Sequence, residues 1–295
     1  MEERLVVEHS GGRGRPSKGS LLLSVAYVLV ALVLVTLFIA PIIWSVVRSL
    51  EPPGLVTSAP SLRDFTHATL YNYNALVTSV HILRYVANSA AVVGGTVLVT
   101  IVGAGLAGYG FSKFAFRGRD ALFVVMLASI MIPSQAIITP LFVETSLVHL
   151  SNTRVGLILV YSTLNMPFAL FIMRNSFASI PREIDEAGRM DGAGTFSLLL
   201  RVYRPLISPG IATVVLFTGL AAWTEFFIAL IFLTNSQLYT LPVALLDVET
   251  GVFVNQVNYA LLDAGAVIAM LPALAVFFLL QRYYVQGLLN GSVLG

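Results

Sequence analysis

The stretch Ser179-Ile180-Pro181-Arg182-Glu183-Ile184-Asp185-Glu186-Ala187-Gly188-Arg189-Met190-Asp191-Gly192-Ala193 is a polar island between long apolar runs, and Thr195, Arg201, Arg204, Pro205 and Pro209 continue it. Nine of the chain's 32 Asp, Glu, Lys and Arg residues fall between Arg174 and Arg204. Loops that only join elements are short, so a segment of this size and polarity implies a folded element that meets something soluble. Ser179 followed by Pro181 predicts a helix start, with a hydroxyl to cap free amides and a proline in the first turn. Glu183, Asp185 and Glu186 then complement the positive end of that helix. Asp191-Gly192 breaks it, and Thr195 can cap a second short helix running through Arg201. The expected result is a two-helix elbow with small Ala187, Gly188, Gly192 and Ala193 at the bend, where a partner's surface can come close. A solvated loop with incidental glycines is the competing reading.

Outward from the island, the chain is overwhelmingly apolar. Of its 295 residues 57% are hydrophobic and 11% charged, and the mean hydropathy is +0.87. Soluble domains carry about 25% charged residues, so this composition describes an integral membrane protein. Six apolar runs are near or above the roughly 20 residues that cross a bilayer as a helix: 20–47, 85–112, 121–143, 155–173, 206–233 and 257–281. Lipid offers the backbone no hydrogen bonds, and the runs are too long for membrane strands, so the fold class is all-α with six transmembrane helices.

Lys and Arg set the orientation. With a cytoplasmic N-terminus, the inside segments hold 13 basic residues, and only Arg48, Arg63, Arg84 and Arg154 lie outside. Both termini and the 174–204 loop are therefore expected in the cytoplasm of a multi-pass protein of the plasma (inner) membrane. The expected division is a mobile cytoplasmic tail over 1–19, a first transmembrane helix over 20–47 and an external segment over 48–84. A core of five transmembrane helices then spans 85–281, and a cytoplasmic tail covers 282–295. The uncharged run from Gly19 to Val47 exceeds a signal-peptide core, and no convincing cleavage site follows it, so it reads as a retained helix. In the tail, Arg13, Arg15 and Lys18 read as a topogenic cluster, with lipid or nucleic-acid contact as the alternative.

Several smaller features bear on packing and function. Around Leu70–Leu76 the external segment predicts a short interfacial helix, and His67 and His81 read as surface histidines. Ala90/Gly94, Gly103/Ala107 and Ala104/Gly108 sit four apart in the second span, a pattern that lets helices approach closely. Pro133, Pro140 and Pro167 interrupt the third and fourth spans. Polar Gln135, Thr139 and Asn165 flank them, which suggests helices lining a path, or simple packing kinks. Glu225 and Asp263 are the charged residues inside predicted spans, and such residues are usually functional. Glu225 could belong to a polar site beside Trp223, or it could fix packing. Asp263 reads first as an interhelical partner. The external loop from Asn235 to Asn258 has no Lys or Arg. No cysteine is present, which excludes disulfide and thiol chemistry. No phosphate loop of the Gly-x-x-x-x-Gly-Lys-[Ser/Thr] type occurs, and no metal-binding cluster or nucleophile–base pair stands out.

Glu186-Ala187-Gly188, Asp191-Gly192-Ala193, Phe196, Pro205-Leu206 and Pro209 together resemble the EAA signature of ABC importer permeases. Gly188 stands where a second alanine is usual, which keeps the volume small. Further along, Asn88-Ser89, Tyr109 through Gly118, Met131-Ile132-Pro133, Ile180-Pro181, Trp223-Thr224-Glu225-Phe226 and the ending from Gln281 to Gly295 are similar to the carbohydrate-uptake branch, related to the maltose-type inner permease. The likeness covers about residues 65–295. Departures are Lys113 where arginine is common, Thr224 where asparagine is usual, and Ser292 and Leu294 in the tail.

The resemblance implies a type I ABC importer permease fold. It makes Glu186, Ala187, Gly188, Asp191, Gly192 and Ala193 a coupling helix that inserts into an ATP-hydrolysing subunit, and the loop after Asn235 a face toward a binding protein. The implied partners are a second related permease, two ATP-binding cassette subunits, an extracytoplasmic substrate-binding protein and membrane lipid, with no nucleic acid. This chain would hold no cofactor and would not be an enzyme, because ATP and Mg belong to the partner subunits. Trp223, Thr224, Glu225, Asn165 and Gln135 are the expected substrate path for a sugar or sugar-like solute. An ion-driven secondary transporter using Glu225 and Asp263 is the alternative. Transporters of that kind often show related halves, and no convincing internal repeat is visible here.

Overall fold

The computed structural model describes residues 18–52, 68–251 and 258–292. The expectations for residues 1–17, His67, Arg63, Asn255, Gln256 and Leu294 lie outside the described residues.

Four single helices among the described residues are long and apolar enough to cross a membrane, and two bent pairs, Arg119–Met131 with Ser134–Leu147 and Thr195–Leu206 with Ser208–Thr224, raise the number to as many as six if each counts as one span. The single ones are α1 (Lys18–Ser49), α3 (Ile82–Lys113), α6 (Arg154–Ala178) and α13 (Tyr259–Ser292). A short α2 (Tyr71–Thr78) lies between α1 and α3, where the interfacial helix was expected. Its Asn72 is fully buried. The amide of Asn72 donates to the carbonyls of Ser49 and Glu51 at 3.0 and 2.8 Å, which satisfies the end of α1.

The third crossing departs from a single helix. It comprises α4 (Arg119–Ala128), a tight turn over Ser129–Met131 and α5 (Ser134–Leu147), with an angle of 104° between its two arms. Ile132 is extended (ψ 120°), as the residue before a proline tends to be, so Pro133 causes the break. Pro140 and Pro167, expected to interrupt their spans, lie instead inside the continuous α5 and α6.

The fifth crossing corrects the sequence reading again. The run 206–233 is not one helix. α10 (Ser208–Thr224) stops after 17 residues, Glu225 is extended, and α11 (Phe227–Phe232) resumes the path. Seventeen residues reach only about 25 Å, so α11 is needed to complete the crossing. No Gly or Pro marks this break. Glu225 makes it by accepting a hydrogen bond from the Ile228 amide at 2.9 Å through Oε1, the job of an N-cap carboxylate.

The centre is the pairing of α3 with α6. Buried Val92, Thr96, Thr100, Ala104 and Gly108 step by four along α3 and form one face. A side chain at Gly108 would meet the backbone of Met173 and Arg174, and one at Gly95 or Gly103 would strike Ile158 or Met166. Gly94 has open space around it, and Ala90 is exposed. Of the expected small-residue pairs, Ala90/Gly94 therefore does not face a helix within this chain.

Contacts sort the helix ends into two sides. On one, Arg48 pairs with Asp263 at 3.3 Å, joining the end of α1 to the start of α13. On the same side Asn88 at the start of α3 donates to the carbonyls of Gln237 and Tyr239 at 2.8 and 2.9 Å, and the Ser89 hydroxyl accepts from the Leu241 amide at 2.8 Å. These bonds seat α12 (Leu241–Glu249), whose Val243, Ala244 and Val248 are buried. The segment after Asn235 is thus partly a packed helix rather than a plain loop. On the opposite side lies the elbow.

Candidate functional site

The elbow begins with α7 (Arg182–Met190). Ser179 does not cap it. Its hydroxyl donates back to the Ser176 carbonyl at 2.9 Å, at the end of α6. Gly192 turns the chain at φ +76°, a left-handed conformation that glycine adopts without steric cost. The second arm is α8 (Thr195–Ser197), a wider π-helical turn over Leu198–Tyr203 and α9 (Arg204–Leu206). Thr195 is the first residue of this arm rather than its cap, and its predecessor Gly194 occupies the capping position. The second arm meets α10 at 79°, so it lies across the direction of the membrane helix.

The expected coupling residues occupy the bend. Glu186, Ala187, Asp191 and Gly192 are exposed, and Gly188 and Ala193 are half-buried. Gly188 faces inward, because a side chain there would strike the end of Leu198 on the second arm. The most exposed apolar side chains of the elbow are Met190, at 88% exposure, and Phe196 of the signature, at 73%, with Leu200 and Leu206 exposed further along the second arm.

The elbow is anchored by Lys113, Asp185 and Tyr203, a grouping that sequence spacing does not show. Lys113, ending α3, lies 2.9 Å from Asp185 and donates to the Ile180 carbonyl at 3.2 Å. The Tyr203 hydroxyl donates to the other oxygen of Asp185. Arg174, read as the start of the polar island, is still within α6, with its guanidinium 4.1 Å from the Phe123 ring centroid.

Within the crossings lies a second site, a cavity of about 750 Å³ walled by α5, α6, α10 and α11. Gln135, Asn165 and Glu225 line it, together with Tyr161, Thr163, Phe168 and Phe217. No basic side chain lines it. The Tyr161 hydroxyl is buried in this wall and makes no hydrogen bond among the described residues. Trp223 and Thr224 are not part of the lining. The Trp223 indole is buried and donates to the Ala269 carbonyl at 2.9 Å, so it fastens α10 to α13 and offers no open face for a ligand. Thr224 returns its hydroxyl to the Leu220 carbonyl at 2.9 Å. Asp263, with its Arg48 partner, is far along the chain from any cavity-lining residue. Among the described residues no group of three His, Asp or Glu side chains could hold a metal ion.

The chain as a whole is similar to known proteins. Residues 100–290 match the family described as the binding-protein-dependent transport system inner membrane component. The diacetylchitobiose uptake system permease protein NgcG of Streptomyces coelicolor is 32% identical, with 86% of this chain and 83% of that protein covered. The arabinooligosaccharides transport system permease protein AraQ of Bacillus subtilis is 29% identical over 92% of this chain and 96% of its own length. In structure, a chain of a bacterial ABC transporter involved in the import of the acidic polysaccharide alginate matches with a TM-score of 0.79, covering 92% of this chain and 99% of that one. Its 22% identity makes this a likeness of fold. Helices, elbow and family match agree, and the chain belongs to the family of binding-protein-dependent transport system inner membrane components, membrane parts of a transport machine rather than enzymes.

Proposed function

We propose that this protein is one of two permease subunits of an ABC importer, and that its elbow couples the membrane path to separate ATP-binding cassette subunits. The observation that carries this reading is the elbow's combination of an exposed apolar pair, Met190 and Phe196, with a fixed inner face. ATP and Mg would be bound by the partner subunits, and an external binding protein would deliver the solute to the side where α12 sits. A cytoplasmic elbow follows from the distribution of Lys and Arg. The Arg48–Asp263 pair, which sets α1 and α13 end to end on the far side, is consistent with both termini on the elbow's side. The division into an N-terminal tail, a first helix, a core over 85–281 and a C-terminal tail belongs to the same proposal.

The solute is a sugar or a similar polyhydroxylated molecule. NgcG and AraQ carry oligosaccharide names. The cavity supports the same class, with amides and hydroxyls at Gln135, Thr163, Asn165 and Tyr161 and aromatic rings at Phe168 and Phe217. Such sites bind through an apolar wall and a few polar groups that orient the ligand. Glu225 and the lack of basic lining favour neutral over anionic solutes.

The decisive experiment is co-purification of the ATP-binding cassette subunits with the Met190→Asp, Phe196→Asp double variant. Loss of these subunits from a variant that still reaches the membrane is the expected result. Their retention at wild-type levels would overturn the docking role.

A further inference from the structure

In the cavity wall, most polar hydrogens are already committed to the chain's own backbone. The Ser129 hydroxyl donates to the Met126 carbonyl at 2.6 Å, and the Thr163 hydroxyl to the Leu159 carbonyl at 2.9 Å. Asn165 turns its amide nitrogen to the Tyr161 carbonyl at 2.8 Å. Each bond fixes a hydrogen and leaves lone pairs, on Ser129 Oγ, Thr163 Oγ1 and Asn165 Oδ1. Glu225 adds a carboxylate, which has no hydrogen to offer. Its Oε1 holds the Ile228 amide, and Oε2 remains as a second acceptor.

The backbone continues the pattern. α10 ends at Thr224, and Ala221 and Ala222 of its last turn line the cavity. Carbonyls in the last turn of a helix lack intrahelical partners and carry the negative end of its dipole. Pro167, also in the wall, has no N–H for the Thr163 carbonyl four residues before it. The Phe168 and Phe217 rings, 5.2 Å apart, add π faces that attract positive charge. Against these stand the amide of Gln135 and the second amide hydrogen of Asn165 as donors, while Tyr161 is buried at 2% exposure. Acceptors of this kind are satisfied by hydrogens that the solute brings, and a carboxylate within the membrane is stabilised by a solute that also brings positive charge.

We propose that this wall selects its solute as a hydrogen-bond donor. Polyhydroxylated amines, the amino sugars among them, are the class that fits best, neutral polyols come second, and carboxylate-bearing analogues are rejected. The inference rests on the reading that the cavity is the solute path.

The test uses three probes that share one carbon chain and differ at a single end: sorbitol, its amine glucamine and its acid gluconate. Ala221 is exposed in the cavity wall and the chain has no cysteine, so Ala221→Cys gives this chain one thiol for N-ethylmaleimide in the complete transporter in nanodiscs. Glucamine should protect that thiol at a concentration about tenfold below sorbitol, because a hydrogen bond to an ionised partner outweighs a neutral one. Gluconate should not protect at the concentration where sorbitol protects fully. Glu225→Gln keeps an acceptor for the Ile228 amide and should bring glucamine to within about twofold of sorbitol. Thr163→Val, a milder change that removes one acceptor, should weaken sorbitol and glucamine alike by about threefold, and it keeps the test alive if the Glu225 variant does not assemble. Gluconate protecting as well as sorbitol, glucamine no better than sorbitol, a tenfold preference surviving Glu225→Gln, or unchanged protection in Thr163→Val each overturns the donor-selecting wall. If none of the three probes protects a thiol that labels freely, the cavity is not the solute path, and the reading beneath the proposal falls instead.

Discussion

Glu225 shows how one side chain can serve both the backbone and the cavity. One carboxylate oxygen ends the break between α10 and α11 by holding the Ile228 amide, while the residue also lines the cavity. Glu225→Gln keeps an acceptor for that amide, whereas Glu225→Ala removes it at a cost of about 1 kcal/mol. Thermal unfolding in detergent should therefore separate the two, with a lower midpoint for alanine only. If glutamine destabilises equally, charge rather than the cap matters there. Gly108 and Gly105 make a second pair. A methyl at Gly108 meets backbone atoms that cannot give way, and one at Gly105 meets nothing. Gly108→Ala should cost about 1–3 kcal/mol by overpacking, and Gly105→Ala should leave the unfolding midpoint unchanged.

At the scale of elements, the elbow depends on how its arms meet. Gly188 faces Leu198, so a large residue there would push the arms apart rather than block a partner directly. Gly188→Trp should abolish the stimulation of ATP hydrolysis by the loaded binding protein while the chain still inserts in the membrane. Gly188→Ala should retain most of it, since the obstructing atom is the mobile tip of a leucine. Survival of full stimulation in the tryptophan variant would show that the geometry of the bend is unimportant. On the other side, Asn88 and Ser89 hold the segment leading into α12. Ser89→Ala removes the acceptor of the Leu241 amide. Hydrogen exchange at Leu241 should accelerate in that variant, and unchanged protection would mean the amide is satisfied elsewhere.

For the whole molecule, the position of its charges separates a pump driven by ATP from one driven by ions. An ion-driven carrier would need Asp263 available for a proton or sodium ion, and Asp263 is paired with Arg48 between α1 and α13. Its part is to join two helices, a use of intramembrane charge that needs no transported ion. Uptake by the reconstituted transporter should therefore require ATP and persist when a protonophore collapses the proton gradient. Loss of uptake under the protonophore with ATP still present would reinstate the ion-driven reading.

Composition and periodicity alone determined the all-α membrane class and the existence of the elbow, because each depends on local quantities: run length, hydropathy, and glycine at a turn. The same residues carried the likeness to ABC importer permeases. What only the tertiary structure decided is which polar groups face what. Trp223, beside Glu225 in sequence, turned out to be a fastener for α13, whereas Tyr161, unnoticed in an apolar run, stands in the cavity wall. Lys113 and Asp185 are 72 positions apart and look like ordinary surface charges until α3 and α7 meet. The helix break at Glu225 escaped detection for a related reason. It has no Gly or Pro, and depends on a cavity in which freed backbone groups are tolerated, and that cavity exists only once the helices are packed.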